Sequence, residues 1–534
     1  MSSSHLTVLE TSASVYPSAS AFKLPQLDES NNIAGWQSIT YSQFQHDVER
    51  FARSWSHKLR SSGVPRRSIV GLWLGGMTYT DVLHIYGLSR AGYIPQMFSL
   101  RLPNPVVVCE LLGKAGAKAL IYDATFASTL FEAPVPIHVA MEYDEADPLR
   151  EPLPERLDNR PEDLAFIFHT SGSTSGSPKL VPCSFRWLES AVKKSYQVSK
   201  PINASKQDVT VWMGSMCHIG QTFMLLGTLQ HGSCVIQPTA INFSSEELHV
   251  MIQDCGLNRL NQFATFLANH LRKSRQDPKL LSKLVDLDEI LYSGLPLARE
   301  EEEWAYNHGM KIRNLFGSTE CGAMLLSIGG RDRTAPFLRP LEGVHYGFEP
   351  IAPVSPSEAE HQSTGRMYEL VIYSDSGDCP DASLRHSEDG HFHTGDLFQE
   401  PIPGAYVFRG RDDDWIKSEN SLRCDTKAIE DNVRAMCGSL IDDCIVVGTG
   451  RPSPVLFVEP ASDIDHEKLK KEIIRKTRQF HARRYLHERI TSTKMIVVVP
   501  RKALPRTATK GNIRRKAVEE AYQSQIDSIF GVSR

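Results

Sequence analysis

The chain has 534 residues, with 59 Lys and Arg against 63 Asp and Glu and a formal net charge of -4. A chain of this length exceeds one typical hydrophobic core, so we expect two or more domains. Near-neutral charge gives no reason to expect nucleic-acid binding, and no apolar run reaches the length of a membrane span. We therefore predict a soluble cytoplasmic protein.

The charge is distributed unevenly along the chain. Residues 411–534 carry 24 Lys and Arg against 18 Asp and Glu, a charge of +6 that leaves -10 for the rest. A basic C-terminal part suits anionic ligands, although a solvated charged surface explains it equally well. Ten cysteines without a Cys-x-x-Cys pair argue against a zinc site or a disulfide framework, so we expect reduced structural thiols.

Helices and strands alternate in the first part of the chain, after a polar leader. The sequence predicts helices at 43–59, 79–91 and 106–116, and strands at 69–74, 93–98 and 117–122. This order favours right-handed βαβ units in a parallel, doubly wound sheet. No GxGxxG motif follows the first predicted strand, which argues against a dinucleotide site.

The stretch from Thr170 to Lys179, TSGSTSGSPK, follows a proline-rich linker at 146–161 and an apolar strand at 164–168. Small residues let the backbone approach a polyanion, hydroxyl and N–H groups donate to phosphate oxygens, and Lys179 adds a positive charge. No Gly-Lys-Ser/Thr follows the glycines, so the loop is not of the Walker type. A flexible Gly/Ser linker is the alternative.

A helix is predicted directly after this stretch, with Ser184 as its cap. Its expected apolar face consists of Phe185, Leu188, Val192 and Tyr196. The order strand, loop and helix is typical of a binding site and favours a phosphate-binding loop over a linker.

The later elements are predicted from shorter patterns. A second alternating set contains strands at 209–213, at 234–237 and ending near 292, helices from 221 and at 244–255, and a polar loop at 374–396. After Gly410 the sequence becomes charged, with strands at 444–448, 455–458 and 495–499 and helices at 427–436 and 466–484. We predict an α/β fold, with a large domain at 1–410 and a small α+β domain at 411–534.

Four further motifs carry candidate chemistry. In NLFGSTE, Phe316 can stack on a base, Thr319 can bond a phosphate and Glu320 can hold Mg²⁺, although a turn with a solvent-facing glutamate explains the heptad as well. In HTGD, the Asp396 carboxylate can accept hydrogen bonds from both hydroxyls of a ribose. In GRDDDWIK, Arg411 can reach a ribose or a phosphate. The three aspartates fit a hinge, a metal site or a solvated loop.

The fourth motif, LPRTATKGNIRRK, is a basic loop or a basic tail. In this order the motifs TSGSTSGSPK, NLFGSTE, TGD, GR-x-D-D and a Lys-Gly loop resemble those of the ANL superfamily. These AMP-forming enzymes include acyl- and aryl-CoA synthetases, peptide-synthetase adenylation domains and luciferases. The resemblance covers about residues 39–518 and is strongest to adenylation domains of carboxylic acid reductases and peptide-synthetase-like proteins.

The resemblance implies a fold and a set of site residues. It implies a large AMP-binding domain, a small mobile lid with a hinge at Asp413, a catalytic Lys510 and Glu320 as the ligand of Mg²⁺. An alignment from Arg515 would put Asn512 in the lysine position, but Lys510 fits without a gap. The implied nucleotide-binding residues are Thr170, Ser171, Gly172, Ser173, Thr174, Lys179, Ser293, Gly294, Asn314, Leu315, Phe316, Thr319, Asp396, Phe408, Arg411 and Lys417.

The resemblance also indicates a substrate class. Relatives that activate amino acids place an aspartate near the segment equivalent to 216–223, which here contains no acid. A buried ammonium would lie there unpaired, so we predict a simple aryl or aliphatic acid. His218 matches a histidine beside the substrate carboxylate in relatives, with a core histidine as the alternative. The candidate pocket walls are Gln262, Phe263, Phe266 and Leu267.

The predicted reaction converts this acid and ATP to acyl-AMP and pyrophosphate, and then transfers the acyl group to a thiol. The thiol belongs to free CoA or to the phosphopantetheine of a carrier protein. No carrier-type serine motif and no reductase dinucleotide motif follow Lys516, so we expect a stand-alone ligase or a module of a longer assembly with a reductase domain as partner. An inactive nucleotide-binding homologue is the alternative from another class.

Overall fold

The computed structural model describes residues 3–99, 104–129, 133–146, 152–170, 179–351, 367–412, 415–417, 423–482, 484, 488–506 and 513–531. These residues divide into two compact units. Unit 1 takes its residues from 1–170, 179–346 and 372–392, and unit 2 takes the described residues of 347–371 and 393–534. The domain boundary predicted after Gly410 stays a prediction.

The described residues form helices and strands in alternation. The α-helices are α1 (His5–Val15), α2 (Tyr41–Ser61), α3 (Tyr79–Arg90), α4 (Pro105–Ala115), α5 (Phe185–Val198), α6 (Ile219–Gln230), α7 (Ser245–Cys255), α8 (Ala264–Ser274), α9 (Pro278–Asp286), α10 (Arg299–Asn307), α11 (Thr426–Cys437), α12 (His466–Ala482), α13 (Arg515–Ala521) and α14 (Gln523–Ile529). The strands of the first half are β1 (Ser20–Leu27), β2 (Ile33–Thr40), β3 (Ile69–Leu74), β4 (Ile94–Ser99), β5 (Ala119–Tyr122), β6 (Ile137–Val139), β7 (Leu164–His169), β8 (Leu180–Ser184), β9 (Val209–Val211), β10 (Cys234–Ile236) and β11 (Arg259–Phe263). Those of the second half are β12 (Glu289–Ser293), β13 (Ile312–Ser318), β14 (Gly322–Ser327), β15 (Leu338–Pro340), β16 (Tyr346–Pro350), β17 (Met367–Ile372), β18 (Phe392–Ile402), β19 (Ala405–Arg411), β20 (Trp415–Lys417), β21 (Arg423–Asp425), β22 (Ile441–Val447), β23 (Val455–Pro460) and β24 (Ile496–Val498).

Unit 1 contains mostly parallel sheet. One sheet has the order β6-β5-β3-β4-β7-β8, in which only β8 runs antiparallel to its neighbour. A second series has the order β15-β14-β13-β12-β11-β9-β10-β1-β2, parallel from β13 to β1. The predicted α/β class with doubly wound, mostly parallel sheets is confirmed.

Local sequence explains why the helices begin and end where they do. In α3, the Thr78 side chain accepts from the Asp81 N–H while the Asp81 carboxylate accepts from the Thr78 N–H, a capping box. Helix α4 has Pro105 in its first turn and is capped after Ala115 by Gly116, whose φ of 69° suits a residue without Cβ. Helix α3 connects β3 to β4 and helix α4 connects β4 to β5, so these signals set the ends of the helices between the three strands.

Unit 2 builds its own core around the sheet β22-β23-β24. Cys444 and Val446 face one hydrophobic cluster, and Ile445 and Val447 face another, because successive strand residues point to opposite faces. Helices α11 and α12 contribute to the first cluster, and α13 and α14 to the second. Unit 2 also contains the series β16-β17-β18-β19 and the β20-β21 pair. An α+β arrangement follows, as predicted.

Several predicted elements were wrong. The polar leader contains α1, β1 and β2, and β1 is held by parallel pairing of Phe22 with Val235 of β10, a partner that local sequence does not reveal. The stretch at 374–396 was predicted as loop, but β18 begins at Phe392. On α5, Tyr196 is 50% exposed, and the buried face includes Trp187, Ala191 and Lys194 instead.

The cysteines agree with the prediction of unpaired thiols. All ten are free, and nine of them are buried. None of the helices in the described ranges combines the length and the apolar character that crossing a bilayer requires.

Candidate functional site

Four adjacent parallel strands of unit 1 end at one edge of their sheet. These are β9, β11, β12 and β13, and their carboxyl ends point the same way. Ligands of α/β proteins bind at such edges. Phe263 is the last residue of β11, and the segments that follow β9, β12 and β13 carry His218, Gly294 and Glu320. The fold therefore brings together four of the predicted site residues.

The predicted phosphate loop is closed at its base by a strand pair. The Thr170 N–H donates to the Lys179 carbonyl at 3.1 Å, and the Lys179 N–H donates to Thr170 Oγ1 at 3.3 Å. The loop thus returns through β8 rather than directly into a helix, which corrects the predicted strand–loop–helix order. Ser171, Gly172, Ser173 and Thr174 lie outside the described residues.

The predicted adenine-binding residues lie at the ends of β12 and β13. The Ser293 hydroxyl donates to the Leu315 carbonyl at 2.7 Å, and the two residues are also paired in register. Leu315 is buried. Gly294 has φ 89°, and a Cβ there would stand 3.0 Å from the Phe263 ring. Asn314 and Phe316 are half-buried on β13.

Glu320 and Thr319 form the turn between β13 and β14, and both are half-buried. The Glu320 carbonyl accepts from Trp187 Nε1 at 2.9 Å. Its carboxylate makes no hydrogen bond or ion pair with another residue of the described part of the chain. Mg²⁺ is commonly held by one or two carboxylates together with the substrate phosphates, so an uncommitted carboxylate fits this ion.

His218 caps the N terminus of α6. Its Nδ1 accepts from the Gly220 N–H at 3.2 Å, so Nε2 carries the proton of the neutral ring. The ring is half-buried and lies edge-to-face with Phe263 at 6.3 Å. The ring is therefore partly exposed, and its predicted place beside the substrate carboxylate stays a prediction.

The predicted acid pocket centres on Phe263. A Cβ on Gly214 would stand 2.9 Å from its ring, and the Phe266 ring lies 6.5 Å away on α8. Gln262 is fully buried, and neither atom of its amide has a hydrogen-bond partner in the described ranges. Leu267 is also fully buried, in the neighbouring apolar core. Phe263 and Phe266 therefore remain the better pocket candidates.

Unit 2 brings together the predicted ribose-binding pair. Asp396 on β18 is in register with Arg411 on β19, and Arg411 Nη1 lies 3.4 Å from Asp396 Oδ1. The Asp396 N–H donates to Thr394 Oγ1 at 3.0 Å, which fixes the turn before the carboxylate. Phe408 packs on Phe398 with ring centroids 5.5 Å apart.

Most of the other predicted site residues of unit 2 lie outside the described residues, and only their flanking segments are described. Asp413, Lys510 and Asn512 lie outside the described residues, and Lys417 belongs to β20. The base of the lysine loop is closed by an antiparallel bridge between Arg506 and Ile513. The lysine assignment stays a prediction.

Sequence reasoning missed two residues beneath the Glu320 turn. Trp187 and Lys194, both on α5, donate to the carbonyls of Glu320 and Cys321. The available signal was the occurrence of a lysine seven residues after a tryptophan, on the face of α5 that also carries buried apolar residues. A lysine at such a position is normally interpreted as solvent-exposed.

Comparison with known proteins identifies the family of the chain. The model of the AMP-binding enzyme family matches residues 9–344, and that of the AMP-binding enzyme C-terminal domain matches residues 413–533. The chain belongs to the AMP-binding enzyme family. It is thus a member of the ANL superfamily of adenylating enzymes, as the motifs predicted.

Three relatives illustrate the range of the AMP-binding enzymes. The AMP-binding domain-containing enzyme iboA of Amanita muscaria (strain Koide BX008) is 35% identical over 94% of this chain and 98% of its own length. The adenylate-forming reductase Nps10 of Heterobasidion annosum is 23% identical over 92% of this chain, which spans only 47% of that reductase. The o-succinylbenzoate CoA synthetase of Bacillus subtilis, solved with an acyl-adenylate, shares the fold with a TM-score of 0.73 at 16% identity, over 97% of this chain and 98% of its own.

Proposed function

We propose that this AMP-binding enzyme activates an aryl or aliphatic carboxylic acid with ATP and then transfers the acyl group to a thiol. The observation that carries the proposal is the gathering of His218, Phe263, Gly294 and Glu320 at the carboxyl ends of adjacent parallel strands. An aromatic wall and an uncommitted carboxylate at one edge suit an apolar acid beside a nucleotide.

In the first half-reaction, an oxygen of the substrate carboxylate attacks the α-phosphorus of ATP. The bond from this phosphorus to the bridging oxygen breaks, and pyrophosphate leaves with the electron pair. No proton has to move, because the acid is already ionised. The chain must therefore orient two anions and offset their repulsion, which Lys179 and the proposed Lys510 would do with their positive charges. Glu320 would hold Mg²⁺, which when bound offsets phosphate charge.

The substrate class follows from the residues around His218. The segment 216–223 contains no Asp or Glu that could pair with a substrate ammonium. His218 is neutral when its Nδ1 accepts from Gly220, so it can donate from Nε2 to a carboxylate without adding charge. The proposal is therefore an acid without an α-amino group.

In the second half-reaction, a thiolate sulfur attacks the acyl carbon, and the bond to the AMP oxygen breaks. The acceptor is CoA or a carrier-protein phosphopantetheine. The iboA relative is matched over nearly its whole length, whereas the reductase relative is about twice as long as the match. Both acceptors are therefore tested side by side.

The test is acid-dependent exchange of labelled pyrophosphate into ATP, run with aryl acids, aliphatic acids and amino acids. We expect exchange with at least one simple acid and less with its α-amino counterpart. Mass detection of acyl-AMP identifies the substrate, and addition of CoA or a phosphopantetheinylated carrier identifies the acceptor. Exchange that depends on amino acids alone would overturn the substrate class. No exchange with any acid, with ATP still bound, would favour an inactive homologue.

A further inference from the structure

Helix α5 holds two consecutive carbonyl groups of the Glu320 turn. Trp187 Nε1 donates to the Glu320 carbonyl at 2.9 Å, and Lys194 Nζ donates to the Cys321 carbonyl at 2.7 Å. Trp187 is 3% exposed and Lys194 has 1% of its side chain exposed. Residues seven apart lie on one face of a helix, so both donors point the same way.

The Lys194 ammonium is in turn held by a buried carboxylate. Its Nζ lies 2.6 Å from Asp378 Oδ2, and the Asp378 side chain is fully buried. Asp378 also accepts from the Ser376 hydroxyl at 2.6 Å and from the Tyr346 hydroxyl. Burial and the nearby Asp378 raise the pKa of Tyr346, so its hydroxyl stays protonated and can donate. Both carboxylate oxygens of Asp378 and two of the three ammonium N–H groups of Lys194 therefore have hydrogen-bond partners.

A buried ion pair of this kind is not explained by stability alone. Taking both charges out of water costs several kcal/mol per ion, and an apolar pair of similar volume is often as stable or more so. What an apolar pair cannot do is donate to the Cys321 carbonyl. The network therefore has a geometric consequence at the turn that an apolar replacement would lose.

We propose that Lys194, fixed by Asp378, is a positioning residue that works with Trp187 to aim the Glu320 carboxylate at its metal ion. This inference rests on the proposed function, in which Glu320 holds Mg²⁺. Mg²⁺ demands near-ideal octahedral geometry, so a ligand that can rotate with its peptide groups binds it less well. Helix α5 begins directly after β8, the return strand of the phosphate loop. One rigid helix thus links the phosphate loop to the metal ligand.

The decisive variants separate folding from positioning. Lys194→Met leaves Asp378 buried without its cation and should lower stability. The double variant Lys194→Met with Asp378→Asn removes both charges, while the new amide oxygen still accepts from the Ser376 hydroxyl and the new amide N–H can donate to the Tyr346 hydroxyl oxygen. We expect this double variant to recover thermal stability relative to Lys194→Met, but not the geometry of the turn. If Lys194 had only a structural role, thermal stability and the geometry of the Glu320 turn would recover together in the double variant.

The first readout needs neither catalysis nor metal. Hydrogen exchange of the peptide that contains residues 318–322 should be faster in the double variant than in the wild type, without nucleotide. Trp187→Phe should give a smaller increase, because it removes one of the two donors. Trp55→Phe is the matched control. Trp55 lies on α2 and is also buried, and the substitution removes its indole N–H, which donates to His84. Unchanged exchange in the double variant would overturn the inference.

The second readout is the metal. We expect binding of Mn²⁺ with ATP, followed by electron paramagnetic resonance, to weaken about tenfold in the double variant, as is typical when a metal ligand loses its support. The Mg²⁺ concentration for half-maximal pyrophosphate exchange should rise similarly, while the KM for the acid changes little. Glu320→Gln is the reference. If Glu320→Gln weakens Mn²⁺ binding and raises the Mg²⁺ requirement but the double variant does neither, the inference about Lys194 is wrong while the proposed function stands. If the wild type exchanges no pyrophosphate, the proposed function fails.

Discussion

The two units fix their predicted catalytic segments with ion pairs of different burial. In unit 1, Lys194 and Asp378 beneath the Glu320 turn have 1% and 0% of their side chains exposed. In unit 2, the base of the Lys510 loop is held by Arg506, 27% exposed, which pairs with Asp443 at 2.9 Å and with Glu459 at 2.6 Å. The comparison contrasts a buried ion pair beneath the proposed metal ligand Glu320 with a partly solvated anchor at the base of the loop that carries the proposed Lys510.

Lowering the pH should produce the largest difference in stability between the two units. Burial lowers the pKa of His5 to about 3 and those of His84, His169 and His270, all in unit 1, to about 4. Among the described residues of unit 2, burial lowers the pKa of His481 to about 4. Histidine in the unfolded chain has a pKa of about 6.5. Between pH 6.5 and 4 the unfolded state therefore binds more protons than the folded state, and the free energy of unfolding decreases as the pH is lowered. Each histidine then costs roughly 1 kcal/mol per pH unit, so unit 1 should lose stability faster.

The buried cysteines provide the measurement. Six of them lie in unit 1 and three in unit 2, so their reaction with a disulfide reagent in increasing urea reports each unit separately. Between pH 6.5 and 5, the midpoint for unit 1 should fall more than that for unit 2. His270→Gln, which removes one titrating group on α8, should flatten the dependence of unit 1. Equal shifts in the two units would contradict the assignment of neutral histidines.

Removing the proposed lysine tests the catalytic half of the comparison. Lys510→Ala should lower acid-dependent pyrophosphate exchange by about 100-fold or more, because one charge that offsets transition-state repulsion is lost. ATP binding, measured by calorimetry, should change only a few-fold. Lys502→Ala is the control, since Lys502 is an exposed lysine of the same unit. Exchange that survives Lys510→Ala would transfer the assignment to another residue.

The elements that could be predicted from sequence were those with local signals. The strand at Ile69–Leu74 is a continuous apolar run, and Ser184 caps α5 through a hydrogen bond from the Trp187 N–H, as its position suggested. Both features depend only on neighbouring residues. Strand β1 depends on β10, more than 200 residues away, so its sequence looked like a polar leader.

The site shows the same division. The motif around Glu320 could be recognised from seven adjacent residues, and its turn directly follows β13. The ion pair beneath this turn could not be recognised from sequence, because Lys194 and Asp378 are 184 residues apart and each looks like an ordinary surface residue. Charge pairing in the folded state, not local pattern, explains why both are buried.

Breaking the anchor of unit 2 should have a moderate effect on stability. Arg506→Met leaves Glu459, 1% of whose side chain is exposed, without its cation, although the Leu504 N–H still donates to Glu459 Oε1 at 2.9 Å. We expect a loss of about 2 kcal/mol, less than for a fully buried pair because Arg506 is partly solvated. Cysteine labelling should show the loss at Cys424, Cys437 and Cys444 alone. A matching loss in unit 1 would mean that the two units unfold together.

The smallest effect concerns the backbone at the adenine edge of unit 1. Gly294→Ala forces alanine into φ 89° and places a Cβ 3.0 Å from the Phe263 ring, whereas Gly256→Ala imposes similar strain at φ 72° with nothing within 4 Å. Each should cost about 1 kcal/mol of stability, measured by thermal unfolding. Only Gly294→Ala should also displace Phe263 and raise the KM for the acid, by a few-fold. An unchanged KM would remove Phe263 from the acid pocket, because a ring that lines the pocket cannot shift without changing the shape that the acid meets.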